Sequence, residues 1–195
     1  MGSEKLVNNA AKFVKALLDR QLPQNMHFHN LQHTQYVVNA ATQIGLQSKI
    51  SKGETIVLKI AAWFHDTGYC YAYTGHEDNS IAIAATFLKQ ENCDENFINN
   101  VVACINSTKM PQNPQSLLQE IMCDADMYHL ADDAYLNFAL RLKMEWEVKL
   151  GKKYSDEEWK ELNLNLLIKH KYFTEYGKSV LQDHKLSNID KLLKL

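Results

Sequence analysis

Apolar residues recur every three or four positions through almost the whole chain, and no stretch alternates between apolar and polar with period two. That spacing places apolar side chains on one face of an α-helix. Glycine and proline, which interrupt helices, number only 7 and 3. The pattern therefore predicts an all-α protein that forms a single domain over residues 1–195, with helices at about residues 3–20, 30–46, 54–66, 80–90, 95–107, from 115 to beyond 122, 132–149, 155–170, 174–183 and 188–195.

The predicted third helix is apolar on nearly all of its sides, which is typical of a helix at the centre of a fold. Ser51 and Glu54 have the spacing of a capping box at its start, and Gly68 is placed to end it. This helix finishes on His65-Asp66. Burial of such polar groups is unfavourable unless they are paired or bind something, and a divalent metal ion would offset that cost.

Two other predicted helices carry polar residues on inward faces. His33 lies four residues before Val37, on the apolar stripe of the second helix, while Asp124 and Asp126 follow an apolar run. A lone inward histidine is more often a hydrogen-bonded core residue, but the joint placement favours a metal site. Imidazoles and carboxylates together suit a divalent ion such as Mn, Fe, Ni, Co or Zn. The pattern does not choose between the two aspartates, since both have apolar neighbours three or four residues away.

Composition limits the classes of partner. The formal net charge is -2, and only two of the 21 basic residues are arginine, which argues against a nucleic-acid or membrane-surface partner. The four cysteines form no CxxC pair, so we expect reduced thiols and a cytoplasmic protein. No apolar run is long enough to span a bilayer. A small-molecule substrate is the expected partner, and the sequence leaves the oligomeric state open.

Three motifs together resemble the H…HD…D pattern of the HD-domain superfamily, whose members are α-helical, metal-dependent phosphohydrolases. They are Phe28-His29-Asn30-Leu31-Gln32-His33, Phe64-His65-Asp66-Thr67-Gly68-Tyr69 and Asp124-Ala125-Asp126. The similarity covers residues 29–126, and the helices of residues 132–195 are expected to pack on that core. Lys143-Met144-Glu145-Trp146 adds a fainter likeness to uncharacterised predicted HD phosphohydrolases.

The resemblance implies a ligand set for a divalent ion (Mn, Fe, Ni, Co, Zn or Mg), namely His33, His65, Asp66 and Asp126. Asp126 is chosen because it matches the aspartate after alanine in the superfamily's fourth motif. Asp124 then becomes an outer residue or the ligand of a second ion. One ion is expected and a second is left open.

Three further residues have several interpretations. His76 and Glu77 would complete a second metal site, position water or face solvent. Lys109 would pair with a substrate phosphate as a point charge, although a solvated loop lysine is the commoner case.

The segment that starts at Phe28 also resembles the YHNxxH motif of 3′,5′-cyclic nucleotide phosphodiesterases. In those enzymes the first histidine donates a proton to the leaving oxygen, so the match implies that His29 is the general acid. The alternative is a residue beside the Asn30 helix cap without a chemical role. The same enzymes place a histidine four residues after the HD histidine, where this chain has Tyr69. That departure weakens the phosphodiesterase assignment and the case for a complete second metal site.

The predicted function is metal-dependent hydrolysis of a phosphate ester, with a nucleotide or another small phosphorylated metabolite as substrate and Asp66 or Asp124 orienting the water. Three alternatives remain: a 3′,5′-cyclic nucleotide phosphodiesterase, a non-catalytic sensor that binds a nucleotide, and a di-iron oxygenase of the HD type. The last requires more histidine ligands than the sequence offers, although His76 is a candidate.

Overall fold

The computed structural model describes residues 3–194, and that part of the chain is helical with no β-strand. Nine α-helices follow one another in chain order: α1 (Ser3–Gln21), α2 (Leu31–Gln47), α3 (Lys52–Phe64), α4 (His76–Gln90), α5 (Glu95–Ser107), α6 (Leu117–Asp126), α7 (Tyr135–Lys149), α8 (Asp156–Lys169) and α9 (Gln182–Leu193). The predicted all-α class is confirmed. Residue 195, the predicted end of the last helix, lies outside the described residues. None of the described helices is both long and apolar enough to cross a membrane.

Helix α3 lies at the centre of the fold, as its all-round apolar character predicts. It packs against α1, α2, α5 and α6. Seven of its residues are buried, including the continuous run Ile60–Phe64. The predicted capping box is present, since Ser51 Oγ accepts a hydrogen bond from Glu54 N while Glu54 Oε2 accepts one from Ser51 N. A smaller apolar cluster joins the C-terminal helices and contains Leu130, Tyr135, Ala139, Leu167 and Leu192.

Helix α3 ends two residues earlier than predicted, at Phe64, and His65 is its C-cap. The Thr67 hydroxyl donates a hydrogen bond to the Phe64 carbonyl at 2.7 Å, and the chain then forms a short 3-10 turn, Thr67–Cys70. His65 and Asp66 therefore follow directly after the last residue of the most buried helix.

Helix α4 begins four residues earlier than predicted, at His76 rather than at residue 80. Gly75, with a φ of 69°, turns the chain immediately before the helix. Glu77 and Asp78 lie in the first turn, where carboxylates interact favourably with the helix dipole. His76 and Glu77 consequently stand on a helix rather than in the predicted loop.

The predicted break between residues 183 and 188 is absent, because a π-helical turn, Gly177–Leu181, leads directly into α9. Two polar residues of this stretch, Lys185 and Asn188, are buried and hydrogen-bonded. Asn188 Nδ2 donates to the carbonyl oxygens of Leu130 and Asp132, and Lys185 Nζ donates to that of His170. Polar residues with buried partners therefore extend the helix here instead of ending it.

We expect Gly68→Ala to lower the free energy of unfolding by about 2–3 kcal/mol, because overpacking forces the backbone to move. A Cβ at Gly68 would lie 1.8 Å from the carbonyl oxygen of His76 and 2.9 Å from Ser80 N. Urea denaturation measures the loss. Gly53→Ala is the matched control: its Cβ would meet only Ser51 Oγ at 3.9 Å, so that helical position is expected to gain stability. Equal stability of both variants would show that the turn tolerates a side chain.

Candidate metal centre and its cavity

Two histidines and one aspartate from α2 and the end of α3 meet in the interior. His33 Nε2 lies 3.4 Å from His65 Nε2, and Asp66 Oδ2 lies 3.4 Å and 3.2 Å from these two nitrogens. All three residues are buried, and their donor atoms lie within 4.8 Å of one another. Asn30 caps α2 by accepting hydrogen bonds from Gln32 N and His33 N, which fixes where the histidine leaves the helix.

The structure adds Asp126 to this group. Its Oδ1 lies 3.4 Å from His33 Nε2 and 3.5 Å from His65 Nε2. Asp126 is the last residue of α6, so this helix brings the fourth donor to the histidines. The four predicted ligands of the first ion are thus together, and we call them the metal centre.

Asp124 points away from the metal centre, contrary to the expectation that it orients water or binds a second ion. Its Oδ1 accepts a hydrogen bond from Phe173 N at 2.8 Å, and its Oδ2 accepts bonds from Thr174 N and Thr174 Oγ1 at 2.9 and 2.7 Å. Residues two apart on a helix point about 200° away from each other, so Asp124 and Asp126 cannot share a face. The structure places Asp124 as the anchor of the segment before the π-helical turn.

The four donors fit a metal ion. His65 Nδ1 donates to the Ala62 carbonyl at 2.9 Å, which leaves the Nε2 lone pair facing the carboxylates. Asp66 Oδ2 is buried and has no hydrogen-bond partner in the described chain. Electron-rich atoms held this close repel one another unless a cation lies among them. Ligand atoms about 2.0–2.2 Å from one ion lie about 3.0–3.5 Å apart, which matches the separations in this centre.

The charges in the centre also perturb its protonation. Burial lowers the pKa of His65, but Asp66 and Asp126 outweigh that effect and raise it well above the ordinary value. Burial raises the pKa of Asp66, but the charge of His65 holds it well below its usual range. Without metal, the centre therefore keeps a proton on His65 at neutral pH.

We expect metal binding at pH 7 to release about one proton, because a ligating imidazole must be neutral. Metal affinity then rises with pH up to the raised pKa of His65. Conversely, the protonated centre stabilises the metal-free fold at low pH, and that contribution is lost as the pH rises through the same pKa. Calorimetric titration with Mn²⁺ in buffers of different ionisation enthalpy counts the protons. A binding enthalpy independent of the buffer would contradict this prediction.

A second polar group adjoins Asp66 on its other side. His76 Nε2 lies 3.3 Å from Asp66 Oδ1, and its Nδ1 lies 3.6 Å from Glu77 Oε2. The His76 ring stacks on Tyr69 with the ring centroids 3.7 Å apart. Lys109 is not part of this group, because its Nζ donates to Asp78 Oδ1 at 2.6 Å on the exposed surface. The structure therefore gives Asp66 neighbours on both carboxylate oxygens, but no lysine.

His29 is held beside the metal centre by Glu145, a residue that the sequence did not single out as functional. His29 Nδ1 lies 2.5 Å from Glu145 Oε1, which also accepts a bond from the Tyr73 hydroxyl at 3.1 Å. The backbone nitrogens of Phe28 and His29 donate to Glu145 Oε2. Burial lowers the pKa of His29, yet the hydrogen bond to Glu145 and the nearby carboxylates raise it overall. The available signals were the faint resemblance of Lys143-Met144-Glu145-Trp146 to predicted HD phosphohydrolases and the lone carboxylate between Leu142 and Trp146.

A cavity of about 440 Å³ opens over the metal centre. Asp66 and Asp126 lie in its lining together with His29, His76 and Glu77. The remaining walls are largely apolar and include Phe28, Tyr69, Tyr73, Met110, Met127, Leu142, Trp146 and Leu166. Several predicted site residues thus line a cavity whose volume is typical of small-molecule binding sites.

His129 also lines this cavity, although the sequence offered no partner for it. Its Nδ1 lies 3.2 Å from the Asp126 carbonyl oxygen, and its ring packs against Phe28. Burial and the neighbouring His33 lower the pKa of His129 to about 4. A neutral imidazole therefore lies at the wall of the cavity, next to the segment that carries Asp126.

Comparison with known proteins agrees with this geometry. Residues 30–131, just over half of the chain, match the HD domain family. The Listeria innocua Lin1889 protein has a similar structure, with a TM-score of 0.71 and 15% sequence identity over 100% of this chain and 96% of the other. Bacillus subtilis YpgQ is similar with a TM-score of 0.67 and 16% identity over 100% and 97%. No curated protein matches the sequence significantly. The family match and the shared fold show that this chain belongs to the HD-domain family.

Proposed function

We propose that the protein is a metal-dependent phosphohydrolase that acts on a small phosphate ester, such as a nucleotide. HD domains are typically metal-dependent hydrolases, which agrees with this proposal. The observation that carries it is the buried group of His33, His65 and Asp66 donor atoms, in which Asp66 Oδ2 has no hydrogen-bond partner among the described residues, next to a cavity that Asp66 lines. His33, His65, Asp66 and Asp126 would hold the ion.

A divalent ion bound there supplies Lewis-acid chemistry: it polarises a phosphoryl oxygen and makes water more acidic. His29 supplies the proton for the leaving oxygen in this proposal. Because Glu145 binds its Nδ1, the Nε2 of His29 is left to donate, and the raised pKa favours the protonated ring. Backbone and Tyr73 hydrogen bonds to Glu145 hold this pair in place.

His76 and Glu77 are proposed as ligands of a second ion or as groups that position water, with Asp66 shared between the two positions. The 3.3 Å distance between His76 Nε2 and Asp66 Oδ1 supports this role. Tyr69, stacked on His76, occupies the position where cyclic nucleotide phosphodiesterases have a further histidine. Hydrolysis of a 3′,5′-cyclic nucleotide is the second candidate function, supported by the placement of His29 next to the centre.

Metal analysis combined with a hydrolysis panel tests the proposal. Purified protein is expected to retain a divalent ion and, in Mn²⁺, to hydrolyse p-nitrophenyl phosphate, bis(p-nitrophenyl) phosphate or a member of a panel of nucleotides and cyclic nucleotides. Bound metal without turnover of any phosphate would contradict the hydrolase proposal. That outcome would favour a nucleotide sensor or an oxygenase.

A further inference from the structure

The cavity over the metal centre contains no permanently cationic side chain. Among the described residues that line it, none is lysine or arginine, whereas Asp66, Glu77 and Asp126 are acidic. Lys109 lies between two lining residues in sequence, but its Nζ is bound to Asp78 on the exposed surface. His29 is paired with the Glu145 carboxylate, so even a protonated His29 adds no net charge. The net positive charge that meets a substrate therefore comes from the metal centre.

The charge balance limits how many phosphates the cavity accepts. One divalent ion neutralises Asp66 and Asp126, and the reacting phosphoryl group occupies that ion. Whether Glu77 is free or binds a second ion, a second or third phosphate would meet no lysine or arginine among the described residues that line the cavity. Sites that bind phosphate chains normally supply lysine or arginine side chains, whereas the first turn of α4, which adjoins this cavity, carries the carboxylates of Glu77 and Asp78. Like charges in a partly dry cavity repel each other more strongly than in water.

Another part of the cavity wall suits a flat apolar group. Trp146 and Leu142 on α7 line it together with Leu166 on α8. Trp159 packs against Trp146 in a T-shaped arrangement, with the ring centroids 5.6 Å apart, and restricts its position. A fixed indole among aliphatic side chains offers a surface for an aromatic ring.

We propose, on the basis of the proposed function, that this cavity selects esters that carry one phosphoryl group on a flat apolar body, such as an aryl group or a nucleobase, and discriminates against di- and triphosphates. The selectivity comes from the absence of cationic side chains beyond the metal centre and from the apolar wall at Trp146.

Binding of non-hydrolysable probes tests the selectivity without relying on turnover. Calorimetric titrations use the Mn²⁺-loaded protein with the free Mn²⁺ concentration held constant. Phenylphosphonate is expected to bind about tenfold more tightly than methylphosphonate, because the ring buries apolar area. The phosphonate analogue of AMP is expected to bind about tenfold more tightly than α,β-methylene ADP, which shares the nucleoside and adds a phosphate.

A pair of lysine variants on α7 tests whether the absence of a cationic side chain causes the selectivity against a second phosphate. Leu142 lines the cavity, and Leu142→Lys is expected to abolish the difference in affinity between the two nucleotide probes. Leu140 is exposed on the same helix and does not line the cavity, so Leu140→Lys should retain the difference in affinity. Retained metal content shows that each variant is folded. If Leu142→Lys does not fold, the phenyl and methyl probes on the unaltered protein still decide the outcome.

The results separate this inference from the hydrolase proposal. Selective binding of the aryl and monophosphonate probes supports the inference even if no ester is hydrolysed, in which case only the hydrolase proposal fails. Equal or tighter binding of α,β-methylene ADP overturns the inference, even if the protein hydrolyses phosphate esters. Equal binding of phenylphosphonate and methylphosphonate also overturns it.

Discussion

Replacing Asp66 by asparagine is expected to lower the metal affinity by at least about a hundredfold and turnover by about a thousandfold or more. Asp66 Oδ2 lies within 3.4 Å of the Nε2 atoms of His33 and His65, and Oδ1 faces His76. An amide in this place removes the negative charge that offsets the cation. The measurements are metal content after dialysis and the rate of phosphate-ester hydrolysis.

Asp124→Asn is the matched control, because it makes the same chemical change at another buried aspartate. Its carboxylate binds only Phe173 and Thr174. We expect this variant to keep its metal but to lose about 1–3 kcal/mol of unfolding free energy, since hydrogen bonds to a buried charge are weakened. Full metal occupancy in Asp66→Asn, or loss of metal in Asp124→Asn, would overturn the ligand assignment.

Replacing Glu145 by glutamine is expected to reduce kcat by about a hundredfold for esters with a poor leaving group. The neutral amide no longer favours a protonated His29, and burial then lowers the pKa of that ring. Activity that depends on protonated His29 falls as the pH rises through its pKa. The fall should therefore begin at a lower pH in the variant than in the unaltered protein, as pH profiles of kcat would show.

Two comparisons distinguish loss of a general acid from general damage. Esters of p-nitrophenol need little protonation of the leaving oxygen, so their hydrolysis should decrease much less than that of alkyl esters. Glu147→Gln lies two residues along α7, where the carboxylate accepts only the Tyr154 backbone N–H, and should leave kcat unchanged. Equal losses for both ester classes, or an unshifted pH profile, would exclude His29 as the acid that Glu145 positions.

Local sequence patterns predicted most of the helices, because apolar spacing and capping residues act over a few neighbouring positions. Apolar spacing located the helices, and the Ser51–Glu54 spacing identified the start of α3, which the structure confirms. The sequence does not predict the start of α4 at His76, because a glycine followed by polar and acidic residues is equally typical of a loop. The continuous C-terminal helix was missed because its inward polar residues have partners that only the tertiary structure supplies, such as Asn188 with the Leu130 carbonyl.

The sequence predicted the metal centre only as far as the position of a residue on a helix face indicates where its side chain points. His33 and His65-Asp66 were assigned from their apolar surroundings, and the structure brings them together; their role as ligands remains a prediction. Two neighbouring aspartates could not be separated by periodicity, because the choice depends on where residues 173 and 174 lie. Glu145 was missed since it reaches His29 across 116 residues of sequence.

Anomalous diffraction at the metal edge, from crystals of the full chain grown with Mn²⁺, tests the central claim most directly. The account predicts one strong peak among His33 Nε2, His65 Nε2, Asp66 Oδ2 and Asp126 Oδ1, at about 2.0–2.3 Å from each. A peak bound by other residues, or no peak at these four atoms at a saturating Mn²⁺ concentration, would contradict the account.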